Sequence, residues 1–143
     1  MAWTPSQPGV PRRNLAILLM LRRRIMAKDP RAMLEAFTNG LHATAEVMPN
    51  HVEAFMGLLG AAYTPGAVDV KTKELISCAI AVFSRCEYCI VFHVFKALEA
   101  GATREEIMES AMVAVAFGGG PAIAYTVTLM KQSIDEFEGD FKN

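Results

Sequence analysis

Apolar residues recur along this chain at three- and four-residue intervals, the spacing that lines one face of an α-helix. Met33, Leu34, Phe37, Leu41, Ala45 and Met48 form one such stripe. It is opened by Asp29-Pro30, a capping residue followed by proline at the first helical position. Pro49-Asn50 interrupts the stripe, and Asn50 is expected to cap a second helix carrying Val52, Phe55, Met56, Leu59 and Ala62. That helix ends in the turn Tyr63-Thr64-Pro65-Gly66. Asp69 then caps a helix over residues 70–83, with Leu75, Ala79, Val82 and Phe83 as core positions. After a short connection, Ser84-Arg85-Cys86, the next helix covers residues 87–99 and stops at Gly101. Thr103-Arg104-Glu105-Glu106 is a capping box that opens a helix with Ile107, Met108, Ala111, Met112 and Val115 on one face. Gly118-Gly119-Gly120-Pro121 ends it and starts a last helix reaching residue 137. Ahead of these, residues 14–27 are helix-friendly, and residues 1–13, with Pro5, Pro8 and Pro11, read as an irregular arm. No segment alternates with a period of two, so the expected fold class is all-α, with short loops joining neighbouring helices.

Composition narrows this picture. The chain has 143 residues, enough for one core, and 52% of them are hydrophobic. So much apolar surface on a small domain predicts burial between subunits, hence a homo-oligomer. A net charge of −1 gives no reason to expect nucleic-acid binding. The apolar run at residues 15–21 is stopped by Arg22-Arg23-Arg24, and no run approaches the roughly 20 residues that span a bilayer. The expectation is a cytoplasmic protein without a membrane segment, the arginine block being a solvated helix end. Nine methionines spread over several helices read as pliable core filler.

Chemistry concentrates in one stretch. With only three cysteines and three histidines in the chain, residues 74–93 hold Glu74, Cys78, Cys86, Cys89 and His93. Cys86, Cys89 and His93 are spaced i, i+3, i+7 and share a helix face. Two cysteines one turn apart are close enough to bond. Cys86 falls at the helix N-terminus, where unsatisfied N–H groups stabilise a thiolate. If the chain reverses near Ser84, Glu74 and His93 lie at matching distances from the bend and come opposite each other in an antiparallel helix pair, with Cys89 nearby. A thiol that attacks a peroxide or disulfide must lose a proton, and the leaving atom must gain one, so a carboxylate and an imidazole beside the sulfurs suit redox chemistry. Other readings stay open at this point. Cys86, Cys89, His93 and a carboxylate can in principle bind zinc, although a structural site usually shows a second ligand pair. Cys78 reads as a buried inert thiol, Tyr88 as a packing residue, and His42 and His51 as surface or interface residues.

The pattern Glu-x11-Cys-x2-Cys-x3-His resembles the signature of the AhpD-like alkylhydroperoxidases of the carboxymuconolactone decarboxylase superfamily. The likeness covers residues 45–138 and includes Asp69-Val-Lys-Thr-Lys-Glu-Leu-Ile, Ala97-Leu-Glu-Ala-Gly-Ala-Thr-Arg-Glu-Glu-Ile, and the later Gly-Gly-Gly-Pro-Ala. It divides the chain into residues 1–44, an arm and helices that reach a neighbouring subunit, and a core domain at 45–143. The resemblance implies an AhpD-like helical bundle assembled into trimers or hexamers. It also implies peroxidase or thiol–disulfide oxidoreductase activity without a cofactor, acting on a hydroperoxide or disulfide and regenerated by a dithiol donor. By the family scheme Cys89 attacks, Cys86 resolves, and Glu74 and His93 move protons. The helix dipole by itself favours Cys86 as the more acidic thiol. Where well-studied peroxidase members can carry a histidine between the cysteines, this chain has Tyr88. A lyase or hydrolase of the decarboxylase branch is the main enzymatic alternative, and the intact cysteine pair argues against it. A non-catalytic, metal-binding oligomeric module is the other.

Overall fold

A computed structural model describes residues 28–141, and every described helix is joined to the next by a short loop or a kink. The expected helix at residues 14–27 and the arm before it lie outside the described residues. Helix α1, Pro30–Val47, starts as its capping pair requires: Asp29 Oδ1 accepts from the backbone N–H of Arg31 (3.0 Å) and Ala32 (3.2 Å). It runs unbroken through residues 44 and 45. Helix α2, Pro49–Tyr63, begins two residues earlier than a cap at Asn50 implies. Its N-cap is Met48, and Asn50 lies inside the first turn instead of capping it. Proline accounts for the difference, because its fixed φ and missing N–H suit the first helical position. No residue of α2 is buried.

The site-bearing elements come next. In α3, Val70–Ser84, Asp69 Oδ1 accepts the N–H of Thr72 at 2.7 Å, and the buried face is Glu74, Cys78, Ala81 and Val82. Phe83, expected in the core, is 52% exposed. It lies one helical step beyond Val82, which turns it off the buried stripe. Arg85 takes the left-handed conformation (φ 59°), reversing the chain in a single residue. Helix α4, Glu87–Glu99, follows at once with Cys86 as its N-cap, and buries Ile90, Val91, Val94, Ala97 and Leu98.

Helix α5, Arg104–Tyr125, opens on the complete capping box of Thr103 and Glu106. Its helical geometry breaks at Gly119 (φ 58°, ψ −142°), two residues before Pro121. The glycine run therefore ends one helical segment and begins another, as its composition predicts. The second segment carries a π-helical turn, Thr126–Met130, before α6, Lys131–Phe137, and a 3₁₀ turn, Glu138–Phe141. Nothing in the apolar spacing announced the π turn.

The core sits where α3 and α4 fold against α5 and α6. Ile90, Val94, Ile107, Met130, Ile134 and Phe137 are all fully buried there. Helix α1 closes one side through Met33 and Leu34. It is also pinned by Arg31, which bonds Glu136 (2.7 Å) and Asp140 (2.9 Å) and lies over the Phe137 ring. Ile76, Ile80 and Phe83 of α3 and Met112, Val113 and Phe117 of α5 remain exposed, Phe117 at 82%. By length and composition alone, eighteen consecutive residues within Arg104–Phe141 are apolar enough to cross a membrane. Glycine and proline interrupt the apolar run in the sequence, and the helix itself breaks at Gly119.

Candidate functional site

The reversal at Arg85 lays α3 and α4 side by side, and this pairing builds the site. Glu74, 4% exposed, accepts a hydrogen bond on Oε2 from Nδ1–H of His93 at 2.8 Å. A carboxylate from one helix and an imidazole from the next therefore meet as the hairpin geometry predicts. Donation from Nδ1 leaves Nε2 as the free, proton-accepting nitrogen.

Cys86 and Cys89 are joined in a disulfide, with Cα atoms 5.1 Å apart. Cys86 is the N-cap residue of α4, and its Sγ accepts the backbone N–H of Cys89 at 3.3 Å. The sulfur thus receives a donor that an unpaired helix start leaves over, and the same donor stabilises a thiolate once the bond opens. Both cysteines are partly exposed. His93 lies one turn beyond Cys89 on the same face of α4.

Aromatic rings line the other side of the imidazole. Tyr63, the last residue of α2, stacks on His93 with centroids 5.9 Å apart and planes 18° from parallel. Its hydroxyl bonds Ser77 Oγ, and Ser77 in turn donates to the Lys73 carbonyl at 2.9 Å. Burial pushes the Tyr63 phenol up from its ordinary range, against the opposing pull of the Ser77 bond. Phe92 meets His93 edge-on at 5.3 Å, and Phe37 of α1 meets Phe92 at 5.5 Å. Phe37, Gly40, Leu41 and Tyr88 line a shallow groove of about 330 Å³ beside the Cys-x-x-Cys turn. Tyr88 is half exposed and packs on Phe37.

The remaining candidates separate cleanly. Cys78 is completely buried, and burial, reinforced by the negative charge of Glu74, pushes its thiol far above the ordinary range. It is the inert core thiol expected. His42 and His51 are exposed. Among the described residues no three His, Cys, Asp or Glu side chains gather as a metal ion would need. Glu87, between the two cysteines, pairs with Lys28 and accepts from the Tyr125 hydroxyl at 3.3 Å. The Lys28 ammonium holds its carboxyl below the usual range. Sequence reading missed Tyr63 and Phe37 as parts of the site. Tyr63 stands thirty residues from His93 inside a turn signal, and no local spacing links the two.

A sequence profile of the carboxymuconolactone decarboxylase family matches residues 49–132. An uncharacterised protein of Cupriavidus necator is 34% identical over 100 residues, covering 70% of this chain and 88% of that protein. The uncharacterised protein 4 of the cox locus in Paracoccus denitrificans is 38% identical over 87 residues, covering 61% of this chain and 78% of the relative. Among solved structures, an apo carboxymuconolactone decarboxylase family protein from Legionella pneumophila superposes with a TM-score of 0.72 at 37% identity, over 76% of this chain and 96% of that one. A family member from Thermotoga maritima, for which a part in the antioxidative response has been suggested, gives 0.63 at 30% identity, over 76% and 94%.

Proposed function

Because this chain belongs to the carboxymuconolactone decarboxylase family and carries a bonded cysteine pair beside a carboxylate–imidazole pair, we propose that it is a thiol-dependent peroxidase. One observation carries the reading. The Cys86–Cys89 disulfide caps a helix, and one turn along that helix His93 is hydrogen-bonded to a buried Glu74.

The cycle runs as follows. Reduced Cys89 gives up its proton toward Nε2 of His93, while Glu74 holds the Nδ1 side of the ring and supports the imidazolium. The Cys89 thiolate attacks one oxygen of a hydroperoxide, the O–O bond breaks, and the alkoxide leaves as an alcohol after taking a proton. Cys89 is now a sulfenic acid. The Cys86 thiolate, stabilised at the helix N-terminus, attacks the Cys89 sulfur and expels hydroxide, which takes the second proton and departs as water. Two thiols and one hydroperoxide thus yield one disulfide, one alcohol and one water. A dithiol donor attacks Cys86, passes through a mixed disulfide with Cys89 leaving, and then closes its own disulfide to restore both thiols. With a protein or small-molecule disulfide in place of the peroxide, the same pair works as a thiol–disulfide oxidoreductase.

The test is a thiol titration of the reduced protein before and after peroxide, with mass spectrometry of the peptide spanning Cys86 and Cys89. The expected result is the loss of two thiols and two mass units, reversed by a dithiol. Unchanged thiols at millimolar peroxide would falsify the peroxidase reading. In the Cys86→Ser protein a sulfenic-acid probe is expected to label Cys89. Labelling of Cys86 in the Cys89→Ser protein reverses the order of attack.

A further inference from the structure

We propose that Tyr63 is a positioning residue for His93: its ring, delivered by the end of α2 and latched to α3, holds the imidazole in the plane that faces Glu74. The proposal rests on the reading of Glu74 and His93 as the proton-transfer pair.

Helix α2 buries no residue, so the hydrophobic core does not decide where its end lies. That end is nevertheless fastened from both sides of residue 63. Lys73 Nζ donates to the carbonyls of Ala62 (2.8 Å) and Thr64 (2.6 Å), acceptors near a helix C-terminus that need partners from outside the helix. Between them the Tyr63 hydroxyl donates to Ser77 Oγ, whose own proton is committed to the Lys73 carbonyl. All three contacts land on the turn of α3 that follows Lys73, next to Glu74.

What this fastening holds in place is the ring stacked on His93. An imidazole anchored only through Nδ1 keeps a broad rocking freedom, because the bond between its Cβ and the flat ring has a soft torsional profile. A parallel ring 5.9 Å away, together with Phe92 edge-on at 5.3 Å, narrows that freedom. A phenyl face also favours the protonated imidazolium that forms when His93 accepts a thiol proton. The raised phenol keeps its own proton, so the latch to Ser77 persists through neutral pH. Tyr63 also lines a groove of about 320 Å³ with Val68, Lys73, Ile76 and Ser77, which leaves the space for a smaller side chain open rather than filled by a neighbour.

The experiment follows the Nδ1–H proton signal of His93 by NMR, assigned with His93→Gln, alongside the rate of peroxide-driven disulfide formation. In Tyr63→Leu the signal is expected to broaden as the proton exchanges faster, with the rate falling about 10-fold, the scale set by small misplacements of a reacting group. Tyr63→Phe, which keeps the ring and both Lys73 bonds beside it, is expected to retain the signal and most of the rate, and a loss equal to that in Tyr63→Leu overturns the role of the ring. An unchanged Nδ1–H line in Tyr63→Leu overturns the proposal. Should that variant lose its helical circular dichroism, Lys73→Met combined with Ser77→Ala releases the end of α2 from both its fastenings, and a persistently sharp line there overturns it equally. If the wild-type protein forms no disulfide with peroxide, the functional reading fails, while the proton line still decides the role of Tyr63.

Discussion

At the scale of single residues, Glu74 carries the most consequence. It is a nearly buried carboxylate whose described side-chain partner is His93, so its removal acts on stability and chemistry together. Glu74→Ala leaves the partly buried imidazole donor without its acceptor and is expected to cost about 1–3 kcal/mol in denaturant unfolding. Glu74→Gln keeps an acceptor for Nδ1–H but loses the charge that supports the imidazolium. Its disulfide formation by stopped-flow is expected to slow by about 10²-fold, within the range that one proton-transfer group contributes, while its stability stays nearer the wild type. Equal rates in Glu74→Gln and wild type sink the proton-transfer role. Cys78, one turn along on the same helix, shows what burial without access does to a thiol: the chemistry needs the two cysteines at the helix mouth.

At the scale of elements, two features decide whether the helices keep their places. The first is the break at Gly119, whose φ of 58° with ψ of −142° lies in territory that side chains avoid. Gly119→Ala is expected to cost about 1–3 kcal/mol, read as a lower thermal midpoint, although nothing lies within 4 Å of the added carbon. The loss is one of backbone strain rather than crowding. The second is the start of α5, where Glu106 accepts the Thr103 N–H at 2.8 Å and pairs with Lys71 of α3 at 2.7 Å. The Lys71 bond and then the Thr103 N–H hold this carboxyl below its ordinary value. A depressed folded-state pKa contributes stability above the ordinary carboxylate range, and that contribution is lost as the pH falls through the folded-state value. The thermal midpoint of the wild type is therefore expected to exceed that of Glu106→Gln at neutral pH, with the gap closing in acid. A gap that holds constant with pH removes the ion pair from the account.

At the scale of the whole molecule, the unfinished business is apolar. Ile76, Ile80 and Phe83 on α3 and Met112, Val113 and Phe117 on α5 are exposed on two helices that pack against each other. We propose that copies of this chain cover these residues for one another in a homo-oligomer, trimeric or hexameric. Light scattering after gel filtration is expected to give a multiple of the 15.6 kDa chain, and Phe117→Glu with Ile80→Glu to reduce it. A wild-type monomer at micromolar concentration removes the oligomer.

The sequence by itself determined most of the described helix boundaries, the caps Asp29, Asp69 and Thr103, and the closeness of Cys86 to Cys89, because helix periodicity, capping chemistry and i, i+3 spacing are local. It also foretold the meeting of Glu74 with His93, since a short connection between two helices leaves little choice of register. Where local signals competed, reading was less sure: Pro49 displaced Asn50 as the reference for the start of α2, and Phe83 turned outward although it is apolar. Tertiary structure alone decided that Tyr63 stacks on His93, that Phe37 reaches Phe92, and that the end of α2 is held by Lys73 and Ser77. Those contacts join segments whose separation no spacing rule spans, and their geometry depends on how whole helices pack rather than on what any one of them contains.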